Sequence, residues 1–149
     1  GKDHFTLLEL IPKKGIVLKL MQEVYIGNEK REEILHIIGR LPIIKLTGTA
    51  KQELEFVIMD IVHNNPNRFV EFFNKAQPLS TRMHQLELLP GLGKKHMWEI
   101  IEGREEKQFE NFADIKSRVK LMSDPEKIIV KRVISELEGT EKYHLFVDK

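Results

Sequence analysis

The chain has no cysteine, which excludes disulfides, thiolate metal sites and a cysteine nucleophile. No apolar run approaches the ~20 residues that cross a bilayer, and no signal peptide precedes the first strand-like segment. A cytoplasmic location and no membrane partner are the expectations. An excess of one charge is missing too, since 24 Lys+Arg stand against 23 Asp+Glu, a net charge of +1. Any basic surface must therefore come from placement, and affinity for a polyanion should be modest. The six histidines (His4, His36, His63, His84, His96, His144) form no His-x-x-x-His pair and have no carboxylate in a metalloprotease arrangement, so no metal site is expected. The rest of the composition is ordinary for a folded protein: 149 residues, 41% apolar and 32% charged, enough to bury a core in one domain or two small ones.

One stretch dictates a particular backbone shape. From Arg82 to Ile101 the sequence reads R-M-H-Q-L-E-L-L-P-G-L-G-K-K-H-M-W-E-I-I. Met83, Leu86 and Leu89 fall three apart, which predicts a helix running into Pro90, where the missing N–H stops it. Gly91 and Gly93 bracket Leu92 and allow positive φ on either side of one apolar plug. A second helix is expected from Lys94, with Met97, Ile100 and Ile101 on its buried face. Lys94 and Lys95 carry the charge that a helix N-terminus disfavours. Free amides, a glycine-rich turn and two ammonium groups in one small volume make a seat for phosphate, and His96 can reach the same anion.

At these residues the sequence resembles the helix-hairpin-helix motif, which holds the backbone of DNA or RNA without reading bases. The resemblance allows a monovalent cation on the turn carbonyls and implies no other cofactor. Met97 departs from it, standing where the motif usually has a small residue.

Elsewhere the pattern predicts three short strands, Phe5 to Ile11, Ile16 to Leu20 and Val24 to Ile26, separated by turn residues. Gly1-Lys2-Asp3 precedes the first of them without an initiator methionine, so the expectation is either a fragment of a longer chain or a chain whose upstream residues are disordered. A short helix over Arg31 to Ile38, closed by Gly39, and a strand over Ile43 to Leu46 come next. Thr49 to Gln52 has capping-box form, predicting a helix from Ala50 to about Asn64 with Leu54, Val57, Ile58, Ile61 and Val62 inward. Asn65-Pro66 starts another, carrying Phe69, Val70, Phe72 and Phe73 into the core. Gln77 to Ser80 reads as a boundary. Past a polar connector (Gly103 to Asn111), two helices flank Lys120 to Asp124 as a second hairpin, without glycines and with an acid where phosphate would sit. Tyr143 to Val147 is expected to return as a strand to the N-terminal sheet.

The expected class is α+β: a small OB-like β-barrel or sheet with two helices over residues 1–79, an all-α paired helix-hairpin-helix domain over 80–138, and a returning strand over 139–149. F-T-L-L-E-L-I-P-K-K-G, V-Y-I-G, F-V-E-F-F-N and L-E-L-L-P-G-L-G-K-K-H-M-W-E-I together resemble an uncharacterised archaeal family of predicted nucleic-acid-binding proteins. The expected function is non-sequence-specific binding of nucleic-acid backbone, DNA or RNA, with Gly91, Leu92, Gly93, Lys94, Lys95 and His96 as the seat and Arg82, Lys116, Arg118 and Lys120 extending it. The alternative is a protein-interaction module or adaptor built on the same hairpins. No enzymatic role is expected. Asp114 falls where helix-hairpin-helix glycosylases place an aspartate, but its early helical position suits an acidic dipole partner, and the paired lysine nucleophile is missing. Thr47 to Lys51 lacks P-loop spacing. Trp98 is expected over the seam between the hairpins, with stacking on a base as the other use of such a side chain.

Overall fold

A computed structural model of the chain describes residues 1–148. Among them the only sheet has two antiparallel strands, β1 (Leu8–Pro12) and β2 (Ile34–Arg40). This overturns the OB-like barrel, although the α+β class holds. A barrel needs every strand to find a neighbour on both sides, and neither Ile16 to Leu20 nor Val24 to Ile26 enters the ladder. That region turns instead, with Ile16 N–H donating to Lys13 O, Gln22 N–H donating to Lys19 O, and Met21 at φ +66°.

β2 lies where a helix was expected. Ile34 and Ile38 fit either period, Leu35 fits only the helical one and is exposed in the strand, and β-branched Ile34, Ile37 and Ile38 favour the strand once β1 offers a partner. Gly39 closes no helix. It pairs with Glu9 while Ile37 pairs with Leu10, so Ile38 is the extra residue of a bulge and Gly39 takes φ +156° beside it. Ile43 to Leu46 is likewise no strand, because Lys45 N–H turns back to Pro42 O in a 3₁₀ turn over Ile43–Lys45.

The helices agree more closely with the sequence. α1 (Gly48–Asn64) is capped by Thr47, not Thr49: the Thr47 hydroxyl accepts the Ala50 N–H at 3.1 Å. α2 (Pro66–Lys75) starts at Pro66 and buries Phe69, Val70 and Phe73, with Phe72 half-buried. A 3₁₀ turn (Gln85–Leu88) precedes α3 (Lys94–Glu106), and α4 (Phe112–Arg118) and α5 (Pro125–Leu137) complete the order. α3 therefore runs into the segment expected as connector. Its Gly103 is a packing glycine, since a Cβ there would meet the Phe109 ring at 3.1 Å. One apolar cluster joins Ile58 and Val62 of α1, Phe69 and Phe73 of α2, Leu86, Leu89, Leu92 and Ile100 around the turn and α3, and Ile115, Ile129 and Val133 behind them.

Tyr143 to Val147 forms no strand. The buried Glu136 carboxylate of α5 accepts the Leu145, Phe146 and Val147 amides, each at 3.0 Å, which wraps the segment around one anion in place of a sheet edge. Asp148 N–H then donates to His4 O at 3.2 Å, so the tail meets the N-terminal residues without joining the sheet. Lys149, the last residue of the expected 139–149 segment, lies outside the described residues.

Candidate nucleic-acid interface

The approach to the candidate seat is shaped by a tight loop. The Leu79 and Ser80 amides both donate to Met83 O, at 2.8 and 3.1 Å, presenting Arg82 and Met83 to solvent. His84 is buried, and its Nδ1 accepts the Leu86 N–H at 3.1 Å while Glu87 accepts the His84 N–H at 3.3 Å. That is a capping box made with histidine. Burial, with the Arg104 guanidinium adding to it, pushes the His84 imidazole below its ordinary pKa, which suits a neutral ring accepting at Nδ1. No sequence signal marks this cap, because histidine is not among the usual N-cap residues.

After His84 the chain makes one turn of 3₁₀ helix, not the α-helix expected there. Leu86 and Leu89 are buried but Met83 is exposed. A spacing of three suits three residues per turn, and Leu89 N–H donates to Leu86 O at 3.2 Å. Gly91 then takes φ +81°, whereas Gly93 is extended at φ −94° and serves as the N-cap of α3. Only one of the two glycines uses its conformational freedom. Leu92 is the expected apolar plug, and its N–H donates to Leu89 O at 3.2 Å. Leu92 therefore packs and contributes no free amide.

The amides of Gly93, Lys94, Lys95 and His96 are different. Met97 N–H is the first to bond back, to Gly93 O at 3.0 Å, and among the described residues nothing accepts from the four before it. Gly93, Lys94 and Lys95 are exposed and the first turn of α3 holds no acid. An added Cβ at Gly91 or Gly93 would meet open space, so the glycines leave the amides uncovered. One acid is close: Glu87 lies 3.4 Å from the Lys94 Nζ. The Lys94 side chain is 68% exposed, and an exposed pair of this length contributes little and is screened by salt. Glu87 reaches Lys94 and none of the four amides.

The remaining site residues divide. Arg82 and Lys94 line one groove with Trp98, and Trp98 is exposed there, not laid over a seam between hairpins. Arg118 is folded inward. Its guanidinium sits 4.4 Å over the Phe109 ring, pairs with Asp114 at 3.2 Å and donates to the Gly103 and Lys107 carbonyls. Lys116 and Lys120 are exposed on α4 and the turn after it, and neither lines that groove. Asp114 accepts the Glu110 N–H at 3.0 Å, which with Arg118 holds its carboxyl below the usual range.

The second turn is closed to anions. Asp124 caps α5 by accepting the Glu126 N–H at 3.0 Å, Pro125 has no N–H to offer, and Glu126 adds a second acid.

A family model described as Protein of unknown function (DUF655) matches residues 1–148, and the chain belongs to that family. Its relatives come from archaea. The chain is 46% identical over 149 residues to the uncharacterized protein MJ0038 of Methanocaldococcus jannaschii, a match covering 99% of this chain and 68% of that protein. It is also similar to the crystal structure of Af1531 from Archaeoglobus fulgidus, with 47% identity and a TM-score of 0.91 over 99% of this chain and 83% of that one. No helix among the described residues is long and apolar enough to cross a membrane.

Proposed function

We propose that the chain binds nucleic-acid backbone, DNA or RNA, without reading sequence, and that the turn from Gly91 to His96 works as a helix-hairpin-helix phosphate seat. The observation that carries this reading is the set of four amides, Gly93 to His96, with no acceptor among the described residues, at an exposed corner that also carries Lys94 and Lys95. Amides and charge converging in this way favour an oxyanion. Lys94 and Lys95 supply long-range attraction, and Arg82 extends it along the neighbouring groove. The carbonyls of Pro90, Gly91 and Leu92 accept no hydrogen bond from the described residues, so they are the ones to hold a monovalent cation if the turn takes one. With few phosphates engaged and a net charge of +1, the Kd should be about 10⁻⁴ to 10⁻⁶ M, with a salt slope of roughly −0.9 per duplex phosphate.

Gly93→Asp separates binding from folding. The φ of −94° suits any residue and a new Cβ meets open space, while aspartate at an N-cap accepts the same amides that a phosphate would. Thermal stability should hold or rise slightly. Fluorescence anisotropy with labelled duplex DNA, single strands and structured RNA at two salt levels should show affinity lower by at least about tenfold, from the lost amide contacts and the added repulsion. Equal binding by the variant and the parent chain would remove the seat.

A protein partner is the second reading, favoured by apolar residues exposed in the N-terminal half, among them Val17 at 86% and Ile44 at 78%. Leu20 at 68% and Ile38 at 55% add to them, and apolar area of this kind is what a partner would cover if it is contiguous. If none of the three nucleic acids binds, this reading replaces the first.

A further inference from the structure

Beside the seat runs an open groove of about 640 Å³, within the size range of small-ligand sites. One wall is the loop that presents Arg82 and Met83, and the other is the face of α3 carrying Lys94, Trp98 and Ile101, with buried Met97 beneath. Trp98 is 55% exposed. It stands four residues after Lys94, hence one turn along the same face, and helical side chains lean toward the N-terminus, here toward the seat. Two cations line the groove's accessible part, Arg82 and Lys94. A third, Arg104, is anchored by donating to Phe73 O at 3.1 Å. Glu87 is the single acid and is already engaged with Lys94 and the His84 amide.

An uncovered indole above an apolar floor, rimmed by cations and one helical turn from a phosphate seat, matches the two halves of one nucleotide. The seat suits the phosphate, and Trp98 suits the flat face of the base. We infer that this groove is a subsite for an unpaired nucleobase stacked on Trp98, continuing the strand whose phosphate occupies the Gly91–His96 turn. The inference rests on the proposed seat and narrows its target to single-stranded or locally unpaired nucleic acid. Inside a duplex, away from its two ends, each base face is already stacked, so Trp98 gains nothing there unless a base is extruded. Stacking of this kind tolerates any base, which keeps the site free of sequence preference. Met83 and Ile101 are placed to touch the edges of the base.

Trp98 is the chain's one tryptophan, so its emission reports this groove alone. Titration with an oligothymidylate of about ten residues should quench that emission and reach saturation together with the anisotropy of a labelled copy. Trp98→Ala should weaken the single strand about tenfold or more and leave a blunt duplex within twofold, while Trp98→Phe restores most of the loss. The exposed position makes both variants compatible with folding, checked by circular dichroism. Single-strand binding that depends on Lys94 and Lys95 but leaves emission unchanged and is indifferent to Trp98→Ala overturns the subsite and spares the seat. Absence of binding to either nucleic acid overturns both. Emission that ignores the oligonucleotide but shifts with protein concentration assigns the groove to contact between two copies and also overturns the inference.

Discussion

Glu136→Ala is expected to lower the stability of the fold by about 3–5 kcal/mol, the range for removing one partner of a buried, hydrogen-bonded ion pair. The Glu136 side chain is fully buried and that of Arg132 is 4% exposed. Arg132 Nε donates to Glu136 Oε2 at 2.8 Å, and the same carboxylate takes the amides of Leu145, Phe146 and Val147. Alanine leaves the Arg132 guanidinium with only the partly exposed Glu141 carboxylate, 3.2 Å away, and three N–H groups without acceptors. The damage spreads because Arg132 also donates to Leu88 O at 3.0 Å and Tyr143 O at 2.6 Å, tying α5 to the turn ahead of the candidate seat and to the C-terminal segment. Phe146, released with that segment, packs on the Phe69 and Phe72 rings at 5.8 and 5.1 Å. Urea denaturation should show the loss, with Glu138→Ala on the exposed neighbour within about 0.5 kcal/mol of the parent. A loss below about 1 kcal/mol for Glu136→Ala would mean that the network does not clamp the tail.

The double change Lys94→Glu plus Lys95→Glu is expected to reduce affinity for DNA and RNA at least about 100-fold at low salt. Two favourable charges become two repulsive ones at the mouth of the seat. On duplex DNA the salt slope should flatten by roughly 0.9 for each phosphate contact removed. Folding should not suffer, because acids in the first turn of a helix complement its dipole by about 0.3–1 kcal/mol each. Lys94→Glu also trades the pair with the partly buried Glu87 for a repulsion, which offsets part of that gain. A folded variant whose affinity stays within twofold of the parent would take the lysines out of the interface.

Where one local rule governs an element, the sequence is a reliable guide. Asn65-Pro66 marks the start of α2, Asn111 the cap of α4, and Asp124-Pro125 the start of α5. Each of these is chain chemistry within four residues. Sequence and structure part where a distant partner decides. Ile34 and Ile38 carry a spacing that fits helix and strand alike, and pairing with β1 selects the strand. Apolar runs at Ile16 and Val24 look like strands, but no neighbour among the described residues offers them a ladder.

The candidate seat is legible in its turn and less so in its surroundings. Proline, two glycines and two lysines indicate a turn with uncovered amides, which is a property of the backbone. That Leu92 N–H is used internally, that Glu87 sits beside Lys94, and that Arg118 is spent on Phe109, Asp114 and two carbonyls all depend on which side chains meet in space. The spacing of Met83, Leu86 and Leu89 suggests an α-helix at 3.6 residues per turn, whereas the chain winds there at three. Arg132 and Glu136 stand at i and i+4 in the sequence, but their burial, and with it their importance, appears only in the packed fold.

The most direct test of the phosphate seat is an amide-resolved NMR titration of the labelled chain with a short abasic sugar–phosphate oligomer, which offers backbone and no base. The Gly93, Lys94, Lys95 and His96 amide resonances should move furthest and saturate together, with the Asp124–Glu126 turn unchanged. Shifts centred elsewhere, or none at the Gly93–His96 amides at millimolar oligomer, would contradict it.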